Sequence, residues 1–82
     1  MIVGHRLGLH ARAAARVVQL SSQYQSSISL LRRDDGKSIE ADGRSILSIL
    51  LLAAGYGSKL QVRVEGADEE EALEKVCEYL RG

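Results

Sequence analysis

The sequence contains little cysteine, no proline and few large aromatic residues. Its 82 residues include one cysteine, Cys77, and neither phenylalanine nor tryptophan. A single cysteine excludes an internal disulfide, which is consistent with a reducing compartment such as the cytoplasm. A core without large aromatic rings must be built from Leu, Ile, Val and Ala. A chain of this length is expected to form one domain, residues 1–82, with a small core.

An excess of one charge is also absent, because eleven basic residues are balanced by eleven acidic ones. Proteins that bind nucleic-acid backbones carry a basic excess, so nucleic acid is not an expected partner. The longest apolar run, Ile49–Ala54, is far too short to cross a bilayer, and no signal peptide is apparent. No metal-ligating cluster or glycine-rich phosphate loop is present, so we expect no metal, no cofactor and no conventional enzyme active site.

The periodicity of the apolar residues predicts seven elements in the order strand, helix, strand, strand, helix, strand, helix. They are a short strand at 1–3, a helix at 11–22, strands at 27–31 and 37–41, a helix at 44–54, a strand at 59–65 and a helix at 68–80. Asp35-Gly36 predicts a hairpin turn, Gly55 the end of the second helix, and Asp68 with Glu71 a capping box at the last helix. Because the strands have one polar face, we expect an antiparallel sheet with all helices on its other face.

A histidine lies where the first helix is predicted to begin. His10 precedes the alanine-rich stretch that starts at Ala11, and alanine strongly favours helix. The first N–H groups of a helix have no internal acceptor and the helix dipole is positive there, so this end can bind an anion. Arg12 adds a planar cation suited to phosphate. A histidine before a helix is more often a cap or a surface residue, so these residues alone leave open whether His10 is structural or is itself phosphorylated.

The second predicted helix is apolar on two opposite faces. Ile46, Ile49 and Ala53 point to one side, and the leucines at 47, 50 and 51 point nearly the opposite way. A short helix in a small domain cannot bury both faces, and an apolar face left in water indicates contact with a partner. A docking surface at Leu47, Leu50 and Leu51 is one explanation. A deeper core or a contact between two copies of the chain is the other.

The segment Gly8-Leu9-His10-Ala11-Arg12-Ala13-Ala14 resembles the active-site segment of the HPr family, the histidine phosphocarriers of the bacterial phosphoenolpyruvate-dependent phosphotransferase system. The resemblance extends over nearly the whole chain. Gly43-Arg44-Ser45-Ile46-Leu47 resembles the segment that carries a regulatory serine in the family, and residues 65–72 are also similar. Many members have proline where this chain has Ala13. Because alanine also favours helix, the site is expected to persist.

The resemblance implies an α+β fold, an open-faced two-layer sandwich with the order β-α-β-β-α-β-α. It implies a four-stranded antiparallel sheet of strand order 1-4-2-3 with three helices on one face. The first strand is expected to be short in this chain. Between Gly36 and Ser45 the chain is slightly longer than is typical of the family.

The resemblance also implies a function, that of a phosphoryl carrier rather than an enzyme. His10 would accept phosphate on Nδ1 from enzyme I and pass it to an enzyme II A component, while Ala11 and Arg12 would bind the phosphate. The implied partner-binding residues are Ala11, Arg12, Ala15, Gln19, Ile46, Leu47 and Leu50. Ser45 would be a regulatory phosphorylation site for an HPr kinase, although a serine at a helix start also serves as a cap.

Two interpretations of the chain's role stay open on the sequence alone. The main one is the sugar-type carrier. The alternative is a regulatory docking module of the same fold, either in nitrogen-type phosphotransfer or as a serine-phosphorylated regulator of partner proteins. In both cases we expect a cytoplasmic monomer. The alternative is weak dimerisation through the apolar second helix.

Overall fold

Three helices and three strands make up the computed structural model, which describes residues 1–82. In chain order they are α1 (Ala11–Ser22), β1 (Ser27–Asp34), β2 (Lys37–Asp42), α2 (Ile46–Leu51), β3 (Gln61–Glu65) and α3 (Glu69–Arg81). The bounds of α1 are those predicted. No helix has the length and apolar character needed to cross a membrane.

The sheet is antiparallel, and its strand order is β2-β1-β3. In the central strand β1, Leu30 pairs with Ala41 of β2 and with Val62 of β3. Asp35 and Gly36 join β1 to β2 with positive φ angles of 48° and 76°. These angles are the ones that a two-residue Asp-Gly hairpin turn requires. The predicted hairpin is therefore confirmed.

The prediction of four strands is wrong, because the N-terminal segment forms no strand. Ile2 makes only an isolated antiparallel bridge with Lys59. At Gly4 the backbone turns away from the sheet, and its N–H donates to the carbonyl of Leu80 in α3 at 2.9 Å. Too few residues pair before this turn to form a ladder. The three strands that do form keep the relative order 4-2-3, and Lys59, the partner of Ile2 in the bridge, lies just before β3 in the chain.

The core lies between the sheet and the three helices and is almost entirely aliphatic. Its fully buried members come from every layer and include Val17 of α1, Leu30 of β1, Ile49 of α2 and Val76 of α3. Cys77 is a buried free thiol on the inner side of α3. A core of Leu, Ile, Val and Ala is thus sufficient to hold the two layers together.

The second helix ends earlier than predicted. α2 stops at Leu51, and the backbone takes a left-handed conformation at Ala53, with φ of 50°, rather than at Gly55. From β1 the guanidinium of Arg32 donates to the carbonyls of Leu52 and Ala53 at 2.7 and 3.0 Å. This side chain comes from a distant part of the chain, so the local signal at Gly55 could not reveal where the helix ends.

The last helix begins without the predicted capping box. Asp68 is its N-cap but makes no side-chain bond to the helix. Its carboxylate instead accepts hydrogen bonds from the Ser26 hydroxyl and from the backbone N–H groups of Gln25 and Ser26, the latter two at 2.9 and 3.0 Å. These bonds, that from the Ser26 hydroxyl above all, lower the pKa of Asp68 from its ordinary value of 3.8. Asp68 therefore ties the connection between α1 and β1 to the start of α3.

Candidate functional site

His10 is the N-cap of α1. Its backbone is extended, with φ of −75° and ψ of −178°, and its carbonyl accepts the first helical bond from Ala14 at 2.8 Å. The Nδ1 atom of its ring accepts a hydrogen bond from the backbone N–H of Arg12 at 3.2 Å. An accepting ring nitrogen carries a lone pair, so the neutral ring keeps its proton on Nε2. The half-buried ring therefore holds a nucleophilic nitrogen at the positive end of a helix.

The surroundings of His10 on α1 favour an anion. The first turn of α1 contains no acidic residue. Arg12 is exposed, and its guanidinium makes no hydrogen bond or ion pair within the chain. Since the first amides of the helix also lack intrahelical acceptors, both kinds of donor are available to oxygens attached at Nδ1.

The segment before His10 is pressed against the chain that follows α2. The buried residue Leu9 donates its N–H to the carbonyl of Ala54 at 2.9 Å. Gly8 has φ of 69°, and a Cβ atom at this position would lie 2.6 Å from the same Ala54 oxygen. Only glycine fits both this angle and this approach. The position of His10 is thus set by contacts outside its own helix.

Ala13, which stands where many HPr proteins have proline, is buried in the core. The helix nevertheless begins at Ala11, and the bond between the Arg12 amide and His10 is formed. Alanine supplies the small side chain that this packed position needs and keeps good helix propensity.

Four apolar side chains of α2 are exposed to solvent, and we call them together the apolar surface. They are Ile46, Leu47, Leu50 and Leu51, which are 43%, 67%, 37% and 67% exposed. Ile49 faces the opposite way and is completely buried. The two-faced pattern of the sequence therefore corresponds to one core face and one exposed face. Ile46, which the helical pattern placed on the core side, belongs to the exposed face.

Ser45 is the N-cap of α2, and its hydroxyl oxygen accepts a hydrogen bond from the backbone N–H of Ser48 at 3.2 Å. The hydroxyl thus has a structural role that any phosphorylation would have to accommodate. Ser45 lies at the start of α2, whereas Leu9 contacts Ala54 beyond its end. His10 and Ser45 are therefore at opposite ends of this helix.

The remaining residues predicted to contact partners lie on α1, which packs against α2. Ala11, Arg12 and Gln19 are exposed and Ala15 is half-buried, so this side of α1 is open. Sequence reasoning missed two exposed apolar residues next to the His10 segment, Leu7 and Tyr56, which are 79% and 69% exposed. Both residues lie between predicted elements, and an apolar residue in such a turn is the feature of the sequence that indicates an exposed contact residue.

His5 also has a role that sequence reasoning missed. Its Nε2 atom is 2.6 Å from the carbonyl oxygen of Tyr79, and the two rings pack with their centroids 4.7 Å apart. The contact between His5 and Tyr79 links the loop before Gly8 to the last turn of α3.

The chain is similar to known proteins over nearly its whole length. A family model described as "PTS HPr component phosphorylation site" matches residues 1–81. The chain belongs to the HPr family. A phosphocarrier protein HPr of Xylella fastidiosa (strain 9a5c) is 41% identical over 78 residues, which cover 95% of this chain and 83% of that protein. A phosphocarrier protein NPr of Proteus mirabilis is 34% identical over 74 residues, which cover 90% of this chain and 79% of that protein.

The fold agrees with the family as well. The crystal structure of an HPr phosphocarrier from Bacillus anthracis has a TM-score of 0.84 and 38% identity, and the match covers 98% of this chain and 90% of that one. The chain is therefore a phosphocarrier of the phosphotransferase system, not an enzyme.

Proposed function

We propose that His10 is the residue that carries the phosphoryl group, taking it from enzyme I and passing it to an enzyme II A component. One observation supports this proposal above all. The Nδ1 atom of His10 has its lone pair at the positive end of α1 and is held there by the amide of Arg12 at 3.2 Å. A structural cap and a phosphate acceptor need the same unprotonated nitrogen, so the two roles are compatible.

In the proposed transfer, the Nδ1 lone pair of His10 attacks the phosphorus of a phosphohistidine on enzyme I. The bond from phosphorus to the donor's nitrogen breaks as the new bond to Nδ1 forms, and the donor's electron pair returns to its own ring. The amide of Arg12, released from Nδ1, then donates to a phosphoryl oxygen, and the guanidinium of Arg12 approaches another. Transfer to the enzyme II A component is the same exchange in the opposite sense.

The modest strength of these contacts suits a carrier. An anion at a helix N-terminus is stabilised by about 0.3–2 kcal/mol, and less where water reaches the site. Arg12 is exposed, so its attraction to phosphate is also screened. The site can therefore favour the phosphorylated form without trapping it, which a phosphoryl carrier requires.

For the partner interface we propose the open side of α1 together with three of the four residues of the apolar surface. The residues are Ala11, Arg12, Ala15, Gln19, Ile46, Leu47 and Leu50. Support comes from the packing of α1 against α2, which brings the two sets of residues onto neighbouring helices, and from the lack of any element covering Leu47. Enzyme I and the enzyme II A component would use this same face in turn, because both must reach His10.

The test is phosphorylation by enzyme I and phosphoenolpyruvate, followed by measurement of the intact mass. We expect an acid-labile gain of one phosphate in the wild-type chain and none in His10→Ala. His5→Ala serves as the matched control, since that histidine is engaged with α3, and should be phosphorylated like the wild type. Phosphate retained by His10→Ala would refute the assignment of His10.

We also propose that Ser45 is a regulatory phosphorylation site for an HPr kinase. Its oxygen already faces the Ser48 amide, which could donate to a phosphate oxygen instead, but the added charge would lie next to Ile46 and Leu47. Binding of enzyme I should therefore weaken. Titration of enzyme I with Ser45→Asp and, as an uncharged cap control, Ser45→Asn would test this, and equal binding by Ser45→Asp and the wild type would contradict it.

The alternative role is nitrogen-type phosphotransfer or regulation by docking, and the NPr relative from Proteus mirabilis is the observation that favours it. Phosphorylated chain can be offered to a sugar-type and to a nitrogen-type enzyme II A component. Preferential transfer to the nitrogen-type component would establish the alternative. In either case we propose a cytoplasmic monomer, which sedimentation at several concentrations would distinguish from a weak dimer.

A further inference from the structure

An arginine outside the proposed site is connected to the segment that holds His10. Arg32 lies in β1, and its Nη1 atom donates to the carbonyls of Leu52 and Ala53 at 2.7 and 3.0 Å. Its side chain is 27% exposed. The only other charged contact is with the exposed carboxylate of Asp34, 3.8 Å from Nη2. The two short bonds to the end of α2 are thus its main polar contacts.

The turn that Arg32 holds needs such a partner. The last carbonyls of a helix have no intrahelical donor, and a cation is favoured at this end of the helix dipole. Ala53 is in the left-handed region, with φ of 50°, which alanine adopts only at a cost. By donating to Leu52 and Ala53 together, Arg32 stabilises a backbone conformation that the sequence of α2 does not favour by itself.

Ala54, the residue after Ala53, connects the turn held by Arg32 to the segment before His10. The carbonyl of Ala54 accepts the N–H of Leu9 at 2.9 Å, and Gly8 lies against the same oxygen. Leu9 directly precedes His10. The Ala54 carbonyl therefore holds the backbone at the residue before His10, where the chain enters α1.

We propose that Arg32 is a positioning residue for phosphotransfer, acting through the turn at Leu52–Ala54 and the amide of Leu9 on the ring of His10. This proposal rests on the proposed function of His10. Arg32 is separated from His10 by these intermediate contacts and takes no part in the chemical step.

The experiment compares Arg32→Met with Arg33→Met. Methionine keeps much of the length of the arginine stem but cannot donate, and Arg33 is the exposed neighbour without such bonds. Two quantities are measured in each chain: hydrogen exchange of the Leu9 amide, and the rate of phosphorylation by enzyme I at low and at saturating concentrations of the chain. Both bonds of Arg32 come from the single Nη1 atom. Arg32→Lys, which keeps a cation with several N–H donors but on a shorter side chain, is the conservative variant.

We expect Leu9 exchange in Arg32→Met to be about tenfold faster, because its bond to Ala54 is loosened. The rate at saturation should fall about tenfold to a hundredfold with KM little changed, because the nucleophile is misplaced rather than unbound. Arg33→Met should match the wild type, and Arg32→Lys should be intermediate. If Arg32→Met does not fold, the same two measurements on Arg32→Lys decide the question.

Wild-type exchange at Leu9 in Arg32→Met, or equal losses of rate in both methionine variants, would overturn the role of Arg32. A failure of the proposed function looks different. The wild-type chain would then take no phosphate on His10, while the exchange of Leu9 would still report whether Arg32 holds the turn.

Discussion

At the scale of single residues, Gly8 shows how a residue without a side chain can affect the position of a reactive residue, here His10. Its φ is 69°, and a Cβ atom added there would lie 2.6 Å from the Ala54 oxygen, which leaves no room for alanine. We expect Gly8→Ala to lower the free energy of unfolding by more than the ~1–2 kcal/mol of left-handed strain and to slow phosphorylation of His10. Denaturant unfolding and the enzyme I assay measure both effects.

Gly57→Ala is the matched control for Gly8→Ala. Gly57 also has a positive φ, of 84°, but apart from its own chain neighbours no atom lies within 4 Å of its added Cβ. It should lose only about 1–2 kcal/mol of stability and keep the wild-type rate of phosphorylation. Equal effects of the two substitutions would show that close packing at Ala54 is unimportant.

At the scale of elements, the end of α2 is held in a conformation that its own residues disfavour. Ala53 adopts φ of 50° where glycine is the usual residue. We expect Ala53→Gly to raise the free energy of unfolding by roughly 0.5–1 kcal/mol, because the left-handed strain is relieved at some cost in unfolded-state entropy. The midpoint of denaturant unfolding should rise with its slope unchanged.

Ala67→Gly provides the comparison for Ala53→Gly, since Ala67 is exposed and does not have a positive φ. There glycine gains no relief of strain and only increases the freedom of the unfolded chain, so stability should stay the same or fall. A decrease in stability for both variants would mean that the left-handed turn is not strained.

At the scale of the whole molecule, Asp68 joins parts of the chain that are far apart in sequence. Its hydrogen bonds to Ser26 and Gln25 lower its folded pKa below the ordinary value of 3.8. A depressed carboxyl pKa contributes stability that is fully present above the unfolded pKa and is lost as the pH falls through the folded pKa. We therefore expect Asp68→Asn to be less stable than the wild type near neutral pH and the two to converge in strong acid.

The measurement is denaturant unfolding across the acid range, with Glu65→Gln as the control. The carboxylate of Glu65 is exposed and accepts no hydrogen bond from the chain, so Glu65→Gln should keep the stability of the wild type near neutral pH. A constant difference in stability between Asp68→Asn and the wild type down to the lowest pH would contradict the linkage.

The sequence by itself determined the features that depend on neighbouring residues. The alanine-rich stretch after His10 sets the start of α1 at Ala11, and Asp35-Gly36 sets the hairpin between β1 and β2. The two apolar faces of α2 follow from the sequence pattern, although the exposure of Leu47 and Leu51 did not follow from it. Helix propensity, turn geometry and apolar periodicity act over a few residues, so they can be read in order along the chain.

Only the tertiary structure decided how these pieces meet. The N-terminal segment forms a bridge instead of a strand because Gly4 turns to α3. Asp68 binds Ser26 instead of its own helix, and Arg32 ends α2 before Gly55. Each of these outcomes is set by a hydrogen bond between residues that are distant in sequence. The placement of His10 combines both levels, since its helix is local while the Ala54 carbonyl that positions Leu9 comes from another part of the chain.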